Sequence, residues 1–401
     1  MWEQIRANQR KSVIIVMFMG ALLVAVGYVI GLYFFGSPYG GIALALIVWA
    51  IMYLVAFSQG DSILLSLSNA RKVSKQDFPQ LYNIVEEMTI ASGLPKIPDV
   101  YVIDDPSLNA FATGRKPEKA SVAVTSGLLQ KLNRDELQGV IAHEIGHVKN
   151  RDTFLMAIGG IMLGAIVILA YFASRMLFFG GMSRGRRGGG GGGGGGAQII
   201  ILVAGIALMI LAPIAARLLY LSLSRKREYL ADASSALYTR YPEGLASALE
   251  KISSSTTPVK SANNATAPMY IVNPFRKAKR AASDLSSTHP STTDRIRVLR
   301  AMGGASYKDY QSAYKEVHRG QGVLPSGSVA AVGVAPLRTS AGSSSGAADA
   351  PLMGAREVSQ AMWKSSGYRT IACECGGTLR IPPGADASSV KCPRCDTVHT
   401  L

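Results

Sequence analysis

The chain has 401 residues, 48% of them apolar and only 17% charged, with positive mean hydropathy, which points away from an ordinary soluble protein and toward a membrane protein. Lysine and arginine outnumber aspartate and glutamate 42 to 26, and the resulting +16 suits an anionic leaflet or a nucleic acid equally, so charge alone selects no partner. All four cysteines fall between positions 373 and 395, which excludes a disulfide framework through the chain and reads as one metal site in a reducing compartment.

Met1 to Ser12 carries Arg6, Arg10 and Lys11, and Val13 to Phe35 is then almost wholly apolar. At about 1.5 Å per residue this run crosses a hydrocarbon core of about 30 Å. It is longer than a signal-peptide core and lacks a following small-x-small site, so it reads as an uncleaved anchor. After the uncharged turn Gly36 to Tyr39, the run Gly40 to Phe57 returns across the membrane, and Arg71, Lys72 and Lys75 follow. Basic residues thus flank both ends of the hairpin, which places those ends in the cytoplasm.

From about Gln76 the pattern becomes that of a soluble α+β domain. Asp77 to Ser92 has helical periodicity, while Asp99 to Ile103 and Ser121 to Thr125 alternate like strands. Between them lie Asn109, Ala110, Phe111, Ala112, Thr113 and Gly114. Such small residues let an extended backbone pair along a sheet edge, as proteases hold peptide; an ordinary loop explains the composition equally well.

Residues 143–147 read H-E-x-x-H. On a helix, His143 and His147 lie one turn apart on one face and can converge on a zinc ion. Glu144, one position along, can then serve as general base toward an attacking water. The helix has independent support: Asn133 is an N-cap with Glu136 at the third helical position, an approximate capping box, and Leu137, Val140, Ile141, Ile145 and Val148 follow at helical spacing. A chance match on a surface helix is the competing reading of the pentapeptide alone.

Phe154 to Phe172 and Ile199 to Leu219 are two more runs of spanning length, joined by Arg175, Arg184, Arg186, Arg187 and the glycine run 188–196. If both cross, the arginine-rich loop lies opposite the soluble pieces, against the positive-inside tendency; the alternative is a hairpin that lies in the interface or packs on the soluble domain. Run length favours crossing. Directly after the fourth run come Arg225, Lys226, Arg227, Glu228 and, one turn on, Asp232. Two histidines leave a catalytic zinc one protein ligand short, and Glu228 is the candidate third. Asp232 is placed to accept the second ring N–H of a ligand histidine. A snorkelling basic collar explains the cations of this stretch but not its acids.

Glu243 to Ser253 reads as a helix, and Ser254 to Ala282 is polar. His289, before Pro290, is either a donor to a developing oxyanion or a surface histidine before a turn, and Arg295 is a second candidate donor. From Gly320 to about Ser366 the sequence is rich in serine, alanine, glycine and valine and reads as a disordered linker. Cys373 and Cys375, then Cys392 and Cys395, are two close thiol pairs that suit a tetrahedral structural zinc, with the residues between them forming a short hairpin: a zinc ribbon.

In this combination the chain resembles the HtpX-like membrane zinc metalloproteases, relatives of the CAAX prenyl proteases in the gluzincin group. The likeness covers roughly Met1 to Gly304. It rests on two N-terminal spans, the segment Asn109 to Gly114, the H-E-x-x-H followed by a membrane hairpin, Glu228 with Asp232, and His289-Pro290 with Arg295. The resemblance implies a multi-pass endopeptidase of the bacterial inner membrane, facing the cytoplasm, that degrades damaged or misfolded membrane proteins. The glycine-rich hairpin loop and the appended linker and ribbon depart from the family pattern.

The fold expected is α+β, mainly α: an integral membrane gluzincin with about four transmembrane helices and a C-terminal zinc ribbon. Its segments are a transmembrane hairpin (1–59), the first part of the protease domain (60–153), a second membrane hairpin (154–223), the second part of the protease domain (224–319), a disordered linker (320–366) and the ribbon (367–401). Two zinc ions are expected, one catalytic and one structural. The partners are polypeptide substrates and the lipid bilayer, with nucleic acid not expected. The rival reading is a non-catalytic membrane scaffold that recruits partners through the ribbon; it leaves Glu144 without a role, because that residue is not a ligand.

Overall fold

The computed structural model describes residues 2–163, 166–167, 170–171, 203, 206–207, 210–215, 225–263, 266–275, 290–320, 322–324, 326–330, 336–338, 351–384 and 389–400. Two long helices come first, α1 (Trp2–Phe35) and α2 (Pro38–Leu67). Both are long and apolar enough to cross a membrane, over Val13–Leu32 and Pro38–Leu67. They form an antiparallel hairpin through small residues. A Cβ on Gly27 would meet the Gly41 carbonyl oxygen at 2.4 Å and one on Gly41 would meet that of Gly27 at 2.0 Å, so only glycine permits this approach. Trp49 Nε1 donates to the Val16 carbonyl at 3.1 Å and ties the two helices further along. Val13, Ile14, Met17, Leu44, Ile51 and Leu54 remain exposed, an apolar sheath suited to lipid.

The second helix runs past the Phe57 expected from hydropathy. Its 30 residues make a rod of about 45 Å, longer than the hydrocarbon core of about 30 Å, and its last turns pack on the soluble part. There Leu64 and Leu65 are buried with Ile103, Phe111, Ala123, Met156, Met269 and Tyr270. Of the expected second hairpin, α6 (Asp152–Leu163) is described, a shorter apolar helix. Its Leu155, Ile158, Met162 and Leu163 pack with Ile15, Met19, Leu23 and Ala56 of the first hairpin. Most of Ile199 to Leu219 and the whole glycine run lie outside the described residues, among which two helices have spanning length.

The soluble part is built on a four-stranded sheet, β1 (Ala70–Lys72), β2 (Asp99–Ile103), β3 (Ala110–Thr113) and β4 (Ser121–Thr125), in the order β1-β2-β4-β3. Strands β2 and β4 are parallel; β3 runs antiparallel to β4, with Ala110 opposite Val124 and Ala112 opposite Val122. The segment read as either an edge strand or a loop is therefore the edge strand. Around the sheet stand α3 (Pro79–Ser92), α4 (Ser126–Lys131), α5 (Arg134–Lys149), α7 (Arg225–Thr239), α8 (Pro242–Ser254), α9 (Thr292–Arg300) and α10 (Tyr307–Val317). One core joins them, including Leu81, Ile84, Val122, Leu137, Ile141, Leu249 and Val298.

The stretch 320–366, expected to be disordered, is in part docked. Beyond the short α11 (Ser326–Ala330), Arg338 pairs with Asp135 at 2.5 Å, and the Leu352 amide donates to the Leu132 carbonyl at 2.8 Å. A helix, α12 (Ala355–Ser365), then buries Val358, Ala361 and Met362 in the main core. Spacing i, i+3, i+4 gives this helix an apolar stripe, and burying that stripe overrides the polar composition around it. The cysteine module also differs from one hairpin between thiol pairs. It has two antiparallel hairpins, β5 (Arg369–Ala372) with β6 (Thr378–Ile381) and β7 (Ser389–Lys391) with β8 (Val398–Thr400), and each cysteine pair sits at the turn of its own hairpin.

Candidate active site

Helix α5 begins with a full capping box: Asn133 Oδ1 accepts from the Glu136 amide at 2.9 Å and the Asn133 amide donates to Glu136 Oε2 at 2.8 Å. Every residue from Glu136 to Val148 is buried, so this is a central helix rather than a surface one carrying a chance motif. Gly146 lets α7 approach: a Cβ there would meet Ser234 Cβ at 3.0 Å, and the Ala231 backbone lies just beyond. That approach brings Glu228 to the two histidines.

His143 Nε2 and His147 Nε2 lie 3.2 Å apart, with Glu228 Oε2 3.7 Å from the first and Glu228 Oε1 3.5 Å from the second. Donors around a tetrahedral zinc with bonds of about 2.1 Å lie about 3.4 Å apart, so the spacing suits that ion. The outer ring nitrogens are engaged elsewhere. His143 Nδ1 meets Asp232 Oδ1 at 2.9 Å, and His147 Nδ1 meets Asp152 Oδ2 at 3.2 Å. In the tautomer that directs Nδ1–H at the carboxylate, a neutral imidazole turns a lone pair inward at Nε2. Two lone pairs and a carboxylate then face one another, a focus that demands a cation. Burial opposes charge on His143, yet Asp232 and Glu228 outweigh it and push its pKa up to about 9.

Glu144 is 1% exposed, and neither of its oxygens has a hydrogen bond of ordinary geometry. Burial raises its pKa, opposed by His143 and His147, and the amide of Ala112 lowers it weakly. An unengaged carboxylate beside a cation site is what a general base requires. Strand β3 supplies the neighbouring wall. The Ala110 carbonyl, on the side away from β4, accepts from the Ile271 amide at 2.9 Å, and Asn109 Nδ2 donates to the Val272 carbonyl at 2.9 Å. By strand alternation the backbone groups of Ala112 face the same outer side. Phe111 points elsewhere, its ring against Tyr270 with centroids 5.2 Å apart.

Arg295, expected as a candidate oxyanion donor, stands beside the ligand set, with Nη1 3.5 Å from Glu228 Oε2. It is fully buried, with Nε 2.8 Å from Asp232 Oδ2, Nη2 2.6 Å from Asp232 Oδ1 and Nη1 3.2 Å from the Ile271 carbonyl. The guanidinium grips the carboxylate that orients His143. Burial opposes ionisation of Asp232, but Arg295 and then His143 outweigh it and hold its pKa below the usual carboxylate range. His289 lies outside the described residues. Asp152 escaped the sequence reading, its one signal being an acid just beyond the helix carrying His147.

In the C-terminal module, Cys373 Sγ and Cys395 Sγ lie 3.3 Å apart and Cys375 Sγ and Cys392 Sγ 3.7 Å, with all four within 4.8 Å of one another. Those separations are too long for disulfides and suit thiolates around one tetrahedral ion with bonds of about 2.3 Å.

Two histidines and a glutamate on crossing helices, a free glutamate beside them and an edge strand alongside define a metallopeptidase site. Residues 75–303 match Peptidase family M48. Similar proteins include the Protease HtpX homolog of Dictyoglomus thermophilum, 48% identical over 302 residues, which are 75% of this chain and 95% of that one. Another is the Protease HtpX homolog of Streptococcus agalactiae serotype III, 44% identical over 302 residues, which are 75% of this chain and all of that one. A crystal structure of S. mikatae Ste24p matches with a TM-score of 0.38 and 18% identity, over 74% of this chain and 66% of that one, too distantly to carry an argument. The chain belongs to Peptidase family M48 and is a zinc-dependent membrane protease. That membership displaces the reading of a non-catalytic scaffold.

Proposed function

We propose that the protein is an endopeptidase of the bacterial inner membrane that hydrolyses misfolded or damaged membrane proteins, with its catalytic cleft and ribbon on the cytoplasmic side. The observation that carries this reading is the pairing of a free, buried Glu144 with the His143, His147 and Glu228 set, at the end of a rod that continues a membrane helix. Basic Arg6, Arg10, Arg71, Lys72 and Lys75 at both ends of the first hairpin support the cytoplasmic side.

His143, His147 and Glu228 would hold a catalytic zinc, and Cys373, Cys375, Cys392 and Cys395 a structural one. The chemistry a zinc ion would supply in the first site is Lewis acidity toward the scissile carbonyl and the attacking water. A Glu144 oxygen takes the proton of the attacking water as the new C–O bond forms, then delivers it to the leaving amine as the C–N bond breaks. The outer backbone groups of Ala112 pair with the substrate chain, and Asn109 and Ala110 fix that edge by their bonds to Val272 and Ile271. Asp232 and Asp152 hold the two rings, Arg295 holds Asp232, and His289 donates to the oxyanion.

The test uses purified full-length protein and a model membrane substrate. Glu144→Gln is expected to lower the cleavage rate at least about 100-fold while keeping its zinc, whereas His143→Ala loses zinc as well. Equal cleavage by Glu144→Gln and the native chain overturns the mechanism.

A further inference from the structure

The projecting end of α2 is fastened to the edge strand by specific bonds. Asp61 Oδ1 accepts from Thr113 Oγ1 at 2.9 Å, and Asp61 Oδ2 accepts from the Arg115 amide at 3.3 Å. One turn back along the same helix, the Phe57 ring centroid lies 4.3 Å beneath the Arg115 guanidinium, whose Nη1 donates to the Phe57 carbonyl at 3.5 Å. From the other side Thr153, in the first turn of α6, donates through Oγ1 to the Gly114 carbonyl at 2.7 Å. The rings of Phe57 and Phe154 meet edge to face at 6.0 Å and close the triangle between the two apolar helices.

This grip falls on residues 113–115, directly after Ala112. Thr113 is fully buried, and a single carboxylate on a membrane helix answers both its hydroxyl and the next-but-one amide. An apolar residue at this place on α2 would bury the same face but would take this acceptor from the Thr113 hydroxyl and the Arg115 amide. A two-armed acceptor instead fixes where the strand stands along its own axis. Displacing a positioned group by about 1 Å can cost about 100-fold in rate, so the axial position of β3 matters to whatever pairs with it.

We propose that Asp61 is a positioning residue for peptide binding: through Thr113 and Arg115 it locks the register of strand β3, and with it the outward backbone groups of Ala112, to the second membrane helix. The proposal rests on the reading of β3 as the strand that pairs with substrate.

The experiment measures KM, kcat and zinc content on full-length protein in detergent micelles with a soluble peptide long enough to lie along β3. Asp61→Ala raises KM about tenfold with kcat and zinc nearly unchanged, because the metal site stands on α5 and α7. Thr113→Val gives a smaller rise, and adding it to Asp61→Ala adds nothing further, since both remove the same bond. Asp61→Asn, which keeps an acceptor for Thr113, recovers part of the loss. Unchanged KM in both Asp61→Ala and Thr113→Val overturns the proposal, as does loss of zinc in both, which marks a joint needed only for folding. The native enzyme is also assayed with peptides in which one backbone amide is replaced by an ester. A rise in KM for esters in the paired stretch, with no effect of the two substitutions, sinks the role of Asp61 alone. No rise for any ester sinks the substrate-strand reading and this proposal with it.

Discussion

Asp232 and Asp152 meet the outer ring nitrogens of His143 and His147, yet only Asp232 was legible in the sequence. Asp232 follows Glu228 by one helical turn, so the face that presents the ligand also presents its neighbour. Asp152 lies beyond the end of α5 and returns to His147 because Arg151 adopts left-handed backbone geometry, φ +57°, a bend that its residue type does not announce. Asp152→Ala is expected to weaken zinc binding about 10- to 100-fold, read by competition with a chelator; unchanged affinity would remove Asp152 from the site. Arg295 separates two roles in one substitution. As the grip on Asp232, its replacement in Arg295→Met leaves a buried carboxylate without its main counter-charge and is expected to destabilise the domain by about 3–5 kcal/mol, lowering its melting temperature. A variant that melts normally, keeps zinc and loses only kcat would return Arg295 to the oxyanion role expected from the motif.

The elements differ in how far the sequence revealed them. Helix α5 was legible end to end, because its cap, periodicity and ligand spacing all indicate the same helix. Strands β2 and β4 were legible from alternation, although β4 proved buried on both faces while β2 keeps Asp99 and Tyr101 half-buried on one. Helix α12 was not, since Val358, Ala361 and Met362 are a thin stripe in a long stretch of small and polar residues. Its docking makes the appended segment a strap: Arg338 and Leu352 bind at Asp135 and Leu132, flanking the start of helix α5, and Arg71 of β1 bonds to Ser366. Val358→Asp, placing a carboxylate at a fully buried position, is expected to release this strap. Trypsin should then cut after Arg338 faster than in the native protein; an unchanged digestion rate would show that the strap holds without α12.

At the scale of the molecule, the relatives align over about three quarters of this chain and nearly all of their own length, and the family match ends at residue 303, ahead of the strap and the two-hairpin cysteine module. Hydropathy located the first hairpin, and helix α2 continues beyond the apolar run Gly40 to Phe57 as far as Leu67, where Leu64 and Leu65 meet the sheet. That continuity makes α2 a ruler. On the proposed reading of membrane-protein substrates, a helix that is at once membrane span and sheet support would hold the cleft at a fixed height, and the cut is then expected to be counted from the bilayer rather than chosen by side chain. Sliding a foreign sequence along the membrane-proximal loop of a substrate is expected to leave the cut at the same number of residues from the span. Thicker bilayers should move it by about one residue for every 3.3 Å of added height on the cleft's side, which mass spectrometry of the products in vesicles of two acyl-chain lengths would read directly. A cut that follows the moved sequence instead would mean that the substrate, not the enzyme, does the measuring.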